Sequence, residues 1–349
     1  MRRRTWITTS IGLGALAGWA GLSRTLESSV SRTAPLMAEP VGLPAPGSLR
    51  PFTQTGRVFG ADARITVLHA DASVARKALA AAFDEMLEVQ AQLSLYREDS
   101  ALVRLNRDGV LDAPPPHLLT VLAEAQSLSR LSGGAFDATV QPLWTLNEKA
   151  RAAGRQADPH ATAAARAKVD WRELVVGPRR VRLNRPGMAV TLNGLAQGYG
   201  ADVAARMLQG FGIEHALLDT GEFGALGARE DGSPWVLGVR HPRQPDVLAG
   251  RLQTDGRFVA TSGDYETAFS DDFVRHHIFD PATGESPAEL ASVTVLAPTG
   301  MLSDGLSTAL MVIGPAAALR LCQRLEGVDA LMIGKDGRRW ATAGLPMLG

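Results

Sequence analysis

Between Arg57 and Leu93 the spacing of the apolar residues switches from two to about 3.6, and this switch limits the possible folds more than any other feature. Over residues 57–69 apolar and polar side chains alternate, with Val58, Ile65 and Val67 in phase, which predicts an opening strand or hairpin. Over residues 73–93 Leu79, Phe83, Met86, Leu87 and Val89 recur at helical spacing, with Asp71 or Ser73 placed to cap the helix. The two periods then recur without a regular beat. Helices are expected over 116–132, stopping at Gly133-Gly134, over 196–211, ended by Gly212, and over 304–313 and 315–325. Residues 147–168 read as a polar, alanine-rich helical excursion on the surface. Short strands are expected within 171–190, turning at Gly177-Pro178 and Pro186-Gly187, and over 216–218, 235–240, 257–260, 292–297 and 330–333, the last closed by a Lys335-Asp336-Gly337 turn. Strands in groups, helices between them and no βαβ rhythm favour an α+β fold over a Rossmann-like sheet. The sequence carries no internal repeat.

The 349 residues suit one large domain or two ordinary ones. Basic and acidic residues balance at 36 each, and without a basic cluster in the body the chain is a poor nucleic-acid binder. Only Lys77, Lys149, Lys168 and Lys335 are lysines, a compositional bias towards arginine rather than a phosphate-binding surface. Apolar content of 45% with 21% charged residues excludes wholesale disorder. Cys322 is the single cysteine, so an internal disulfide and a cysteine-based metal site are both excluded.

The N-terminus reads as an address. Arg2, Arg3 and Arg4 precede Thr5-Trp6-Ile7 and a short apolar stretch over 11–22, kept mildly hydrophobic by Gly12, Gly14, Gly18 and Gly21. This layout resembles a twin-arginine export signal, assigned to residues 1–38, and implies passage through the export machinery to the periplasm. An uncleaved N-terminal membrane anchor is the alternative, although the stretch is shorter than the ~20 apolar residues of a span. Arg2, Arg3, Arg4, Arg24 and Arg32 against Glu27 leave a body trimmed at residue 32 about four charges negative. Residues 39–55, rich in proline, read as an extended linker, and residues 56–349 as the folded domain.

Four segments carry more chemistry than a core needs. Residues 132–143 offer Gly133 and Gly134 for close backbone approach and Asp137 as an acceptor, although a helix C-cap with a turn explains them equally well. Residues 191–202 lead from a strand through a glycine-bearing turn to a helix N-terminus, an arrangement that can hold a phosphate but matches neither a Walker loop nor a dinucleotide fingerprint. Thr261-Ser-Gly-Asp-Tyr265 is followed by Arg275-His-His-Ile-Phe-Asp-Pro-Ala-Thr-Gly284. If its adjacent histidines lie on a strand they face opposite ways, so one at most serves a given site, while Asp280 to Gly284 is a turn by composition. In Ser303-Asp-Gly-Leu-Ser-Thr308, Asp304 and Thr308 lie one helical turn apart, where they can ligate a hard cation such as Mg²⁺ or merely cap and pack.

In order and spacing, these segments resemble the ApbE family of FAD:protein FMN transferases from about Gly56 to the C-terminus. The resemblance rests on Leu93-Ser-Leu-Tyr-Arg-Glu-Asp-Ser100 with Leu105-Asn106, Gly134-Ala-Phe-Asp-Ala-Thr139 with Pro142-Leu143, and Gly194-Leu-Ala-Gln-Gly-Tyr199. It is completed by Ser262-Gly-Asp-Tyr265, His277-Ile-Phe-Asp-Pro-Ala-Thr-Gly284 and Asp304-Gly-Leu-Ser-Thr308. It implies an ApbE-like mixed fold with largely antiparallel sheets and flanking helices. The implied reaction transfers the FMN half of FAD, a substrate, to a Thr or Ser hydroxyl of an acceptor redox protein, a membrane-associated flavoprotein subunit, with release of AMP. It further implies FAD contacts from Tyr96, Ala135, Phe136, Asp137, Thr191, Gln197, His277 and Ile278, and Mg²⁺ held by the Gly194 carbonyl with Asp304 and Thr308. His277 and Asp304 are the candidates for work at the reacting phosphate. The chain departs from the family wording at Phe59-Gly-Ala61, often Met-Gly-Thr, at Thr191, usually Asp, at Gln197, usually Lys, and at Thr220-Gly-Glu222, commonly Gly-Gly-Asp. These departures resemble an exported subgroup linked to nitrous-oxide respiration. They also motivate two alternatives, a periplasmic FAD carrier or assembly factor without transfer and an FAD pyrophosphatase.

Overall fold

A computed structural model describes residues 48–348; the expected export signal and linker residues 39–47 lie outside the described residues. The chain is already in the fold at β1 (Arg50–Val58), so the expected linker boundary at residue 55 is corrected to before Arg50. β1 pairs antiparallel with β2 (Ala61–His69) along its whole length through the two-residue turn Phe59-Gly60. Both turn residues have positive φ, 52° and 79°, as the tight hairpin twist requires. Glycine takes this geometry freely, and Phe59 is held in it by packing. Its amide donates to Gln90 Oε1, and its ring fills the space over Gly200, where a Cβ would lie 2.4 Å from the ring edge. The helix that follows, α1 (Ala72–Leu93), settles the choice of cap: Asp71 accepts from the amides of Ser73 and Val74.

The remaining elements run α2 (Ala101–Asp108), β3 (Val110–Asp112), α3 (Pro116–Leu131), α4 (Gln141–Ala152), α5 (Pro159–Arg166), β4 (Leu174–Val176), β5 (Arg180–Leu183), α6 (Ala196–Gly210), β6 (His215–Asp219), β7 (Phe223–Leu226), β8 (Val236–His241), β9 (Gln244–Gln253), β10 (Phe258–Gly263), β11 (Leu290–Ala297), α7 (Gly300–Cys322), β12 (Asp329–Gly334), β13 (Arg339–Ala341) and β14 (Met347–Leu348). The eight-stranded sheet has the order β1-β2-β6-β7-β10-β11-β12-β13, and every adjacent pair is antiparallel. Two three-stranded sheets, β14-β9-β8 and β3-β5-β4, are antiparallel as well. The α+β expectation holds.

β11 shows why the layers stack as they do. Its sequence Leu-Ala-Ser-Val-Thr-Val-Leu-Ala is buried at all eight positions, the pattern of a strand covered on both faces. Val293, Val295 and Ala297 point into the main core beneath α1, α6 and α7. Leu296 points the other way, joining Leu331 and Ile333 of β12 and the β8–β9 side chains Leu237, Val239 and Leu252 in a second core. α7 is read in sequence as two helices, and Gly314 does break it, with φ 75° and ψ 167° just before Pro315. The first half starts earlier than expected, at Gly300, capped by the Thr299 hydroxyl.

α6 and α7 cross at their N-terminal ends with no side chain between them. A Cβ on Gly198 would sit 2.1 Å from the Gly300 carbonyl oxygen, and one on Gly300 would sit 2.4 Å from that of Gly198. Each helix also caps the other. Asp304 of α7 accepts from the Gly198 amide at 3.0 Å, and Asp202 of α6 accepts from the amides of Gly300 at 2.6 Å and Met301 at 2.9 Å. Replacing Gly198 by Ala is expected to cost about 3 kcal/mol, because the obstruction is backbone and cannot swing away. Gly210→Ala, at the far end of the same helix with nothing within 4 Å, is expected to gain roughly 0.5 kcal/mol. Urea unfolding of the two variants measures the contrast.

Candidate active site

The loop after α3 supplies one wall. Ser132 ends the helix, Gly133 and Gly134 take positive φ of 65° and 90°, and the Ser132 hydroxyl accepts from the Phe136 amide at 2.9 Å. Ala135 donates its amide to the Ser132 carbonyl at 3.3 Å. Asp137 is 7% exposed, and both its oxygens are used inside the protein: Oδ1 accepts from the amide and hydroxyl of Thr139, Oδ2 from the amide of Trp171. Asp137 therefore shapes this loop, and the polar edge expected to face a ligand is turned inward. The neighbouring loop is tied to it by the Thr191 amide, which donates to the Ala138 carbonyl at 2.8 Å; the Thr191 hydroxyl accepts from Asn193.

From there the chain enters the glycine turn, and several expected residues meet. A Cβ on Gly194 would lie 3.0 Å from Thr308 Oγ1 and 3.6 Å from the Phe136 ring, so the glycine backbone sits directly against Thr308. Ser262 of β10 lies 2.7 Å from Ser307 Oγ and 3.2 Å from Thr308 Oγ1. One turn before Thr308, Asp304 has one oxygen on the Gly198 amide, and its Oδ1 has no hydrogen-bond partner among the described residues. Gln197 folds over Gly221, whose φ of 97° leaves room for the amide, in the turn that also carries Glu222. Glu222 is buried and accepts from the Thr261 amide at 3.2 Å.

Phe136, Gly194, Gln197, Asp304 and Thr308 thus form one constellation. Ser262 and Glu222 belong to it too, and neither is singled out as a site residue in sequence. Ser262 does fall in the small-polar segment 261–265, whereas Glu222 shows only as an unusual residue in a turn.

Three expected residues make no hydrogen bond to this group among the described residues. Tyr96 lies between α1 and α2 and is 72% exposed, with no hydrogen bond or ring contact joining it to Asp304 among the described residues. Ile278 is 5% exposed and its side chain belongs to the main core. His277 does not lie on a strand, contrary to expectation: residues 264–289 hold neither helix nor strand, only an isolated bridge between Ala268 and His276. The proline- and glycine-bearing turn at Asp280–Gly284, where the Asp280 carbonyl accepts from Gly284, keeps the segment irregular. The two histidines nonetheless divide as the sequence suggests. His276 is fully buried, donates Nε2–H to the Pro287 carbonyl, and is pushed by desolvation down to about 3. His277 donates both its amide and Nδ1–H to the Thr267 carbonyl, at 3.0 and 3.3 Å. That bond sets the tautomer, and burial lowers the pKa, so Nε2 carries a free lone pair on a neutral ring.

The carboxylates around the crossing are out of their usual range. Desolvation pushes Asp304 up to about 7, with the Gly198 amide opposing it and the Asp202 charge adding to the shift. Desolvation, then the charge of Asp304, raises Glu222 well above the ordinary range, and desolvation takes Glu266 to about 7. Asp304, Thr308 and the Gly194 backbone supply oxygen donors only, a set suited to a hard cation and unsuited to a soft one. Each raised carboxyl holds its proton more tightly folded than unfolded. Its contribution to stability is therefore complete below pH 4 and is lost as pH rises through about 7. In chelator, the midpoint of thermal unfolding is expected to fall between pH 5 and pH 8, and Glu266→Gln to make that fall shallower.

With this geometry in hand, known proteins provide the comparison. The family model described as "ApbE family" matches residues 59–332. The FAD:protein FMN transferase of Vibrio cholerae serotype O1 is 34% identical over 291 residues, 80% of this chain and 86% of that protein. The one from Treponema pallidum is 31% identical over 327 residues, 85% and 88% of the two chains. The structure titled flavin transferase ApbE from Vibrio cholerae superposes with a TM-score of 0.72 at 31% identity, covering 86% of this chain and all of that one. The apo flavinyl transferase ApbE of Pseudomonas stutzeri gives 0.71 at 30% identity, covering 84% and 94%. A family match across most of the folded body, relatives above 30% identity spanning most of both chains, and a shared fold lead to one conclusion: the chain belongs to the ApbE family.

Proposed function

We propose that this protein is an FAD:protein FMN transferase that moves the FMN half of FAD to a Thr or Ser hydroxyl of an acceptor redox protein and releases AMP. The observation that carries the reading is the meeting of Gly194, Asp304 and Thr308 at the crossed N-termini of α6 and α7, beside the Phe136 loop. The helix-terminal amides at the crossing are already taken by Asp202, Asp304 and Thr299, so the pyrophosphate of FAD would be held there mainly through a cation that these carboxylates attract. Gln197 adds a neutral amide donor there but no charge. Asp304 Oδ1, Thr308 Oγ1 and the Gly194 carbonyl would hold Mg²⁺, which when bound offsets charge that develops on the phosphate oxygens. The buried Asp304, proton-binding when no cation is near, fits that role, because a cation would draw its pKa back down.

In the transfer, the acceptor oxygen bonds to the phosphorus on the flavin side, the P–O bond to the AMP half breaks, and the hydroxyl proton must go to a base. With Asp304 engaged as a ligand, the lone pair on His277 Nε2 is the base we assign. The exposed Tyr96 would supply aromatic surface for a ring system of FAD, while Phe136, 5% exposed and packed in the main core, backs the wall from behind. Residues 1–38 would send the folded protein to the periplasm by the twin-arginine route, placing it beside a membrane-associated acceptor.

The test mixes residues 48–349 with FAD, Mg²⁺ and an acceptor domain bearing a target Thr, and reads flavin fluorescence of the acceptor on a denaturing gel. A band that needs Mg²⁺, with AMP released in step, is expected. Asp304→Ala and His277→Asn are each expected to slow transfer about 10²-fold or more. Tight FAD binding without a band across several acceptors would favour a carrier, and free FMN without labelled protein a pyrophosphatase. A reporter fused to residues 1–50 is expected to stay inside cells that lack the twin-arginine route; its export there would sink the assignment of the signal.

A further inference from the structure

Residues 264–289, the longest described stretch without helix or strand, carry His277; Arg166 holds them at the Ala282 carbonyl, and one charged cluster from elsewhere in the fold holds them at two further points. The first point is Asp264, where the loop leaves β10. It is fully buried, and a buried carboxylate is costly unless paired. Arg243, in the tight connection between β8 and β9, meets it two-pronged: Nη1 donates to Oδ1 and Nη2 to Oδ2, both at 2.7 Å. The second point is Phe273, at the tip of the fold-back made by residues 267–277. Its φ of 58° is left-handed, a conformation an aromatic residue keeps only when its surroundings enforce it. The same Arg243 guanidinium lies 4.5 Å from the Phe273 ring centre. Lys335, from the turn after β12, donates Nζ–H to the Phe273 carbonyl at 2.8 Å and lies 3.7 Å from Asp264 Oδ2.

We infer that Arg243, Asp264 and Lys335 form a clamp that positions the His277 loop, with Arg243 a positioning residue for transfer; the catalytic part of this inference rests on the role given to His277 above. On either side of Phe273 the loop folds back on itself. The Phe269 amide donates to the Arg275 carbonyl at 2.7 Å and the His277 amide to the Thr267 carbonyl at 3.0 Å. Fixing residues 264 and 273 therefore fixes the short ladder on which the His277 ring is oriented. An apolar plug would hold such a loop as firmly, but it would not fix direction. A two-pronged charge pair that also stacks on Phe273 sets where the tip of the fold-back lies relative to its start. It also gives the small β8–β9–β14 sheet a task, since that sheet covers the far face of β10–β12 and delivers Arg243 from its turn.

The test uses the full folded chain with Arg243→Met, His277→Asn, their combination, and the charge-free pair Arg243→Met with Asp264→Asn. Hydrogen exchange of peptides spanning 264–289 is read beside transfer kinetics. For Arg243→Met, exchange in that loop is expected to rise about ten-fold or more while α6 and α7 peptides keep their rates. The kcat is expected to fall about 10²-fold with little change in KM for FAD, and adding His277→Asn should bring no further multiplied loss. The charge-free pair leaves no buried carboxylate unpaired, so it is expected to recover thermal stability but not kcat. Unchanged loop exchange, or joint recovery of stability and kcat in the charge-free pair, would overturn the clamp. Faster loop exchange with wild-type transfer in both Arg243→Met and His277→Asn would keep the clamp as the loop's anchor and remove His277 from the reaction.

Discussion

The site depends on one contact between two backbones. Where α6 and α7 cross, Gly198 and Gly300 touch without side chains, and Asp304 and Asp202 each reach across to the first amides of the opposite helix. Neither helix end could be satisfied in this way alone, because the donors of one and the acceptor of the other come from segments about a hundred residues apart. The same contact aims Asp304 and Thr308 at the Gly194 turn, so what ends the helices also assembles the candidate cation ligands.

This economy is costly in electrostatics. Asp202, Asp304, Glu222 and Glu266 are all drawn upward by burial, and several repel one another. A chain selected for stability alone would place apolar residues here. Concentrated, under-neutralised acid next to two helix N-termini is the arrangement of a site that acquires positive charge with its ligand. Gln197 at the turn brings no positive charge, so under the proposed function more of that task would fall to a bound cation.

The sequence made local relations visible and hid those that depend on the crossing. Asp304 and Thr308 were readable as a pair because one helical turn separates them, and the glycines at 133 and 134 because few other residues take their positive φ. Asp202 gave no such sign: in sequence it is an acid within a helix, and only the approach of α7 makes it a cap. Glu222 looked like a departure in a turn, and its burial near Asp304 is a tertiary fact. Asp137 was rightly marked as unusual, but whether a carboxylate faces a ligand or its own loop is decided by Thr139 and Trp171. The histidine pair is expected on a strand, and the turn chemistry of Asp280–Gly284 keeps the segment irregular instead. The opening helix, whose period is long and whose cap is local, was the easiest element to read.

The antiparallel sheet also sets an order of events. Beyond the β1–β2 hairpin, the next bonds β2 makes are to β6, where Ile65 meets Leu218, and β11 is enclosed only once β12 lies beside it and the β8–β9 sheet covers its far face. Contacts between such distant segments form slowly, and until they do the apolar edges of β2 and β11 are open to other chains. Were the protein to travel folded, as the proposed export route requires, the wait would be spent where the whole chain is at hand, and the crossing of α6 and α7 would be made before the journey rather than after it.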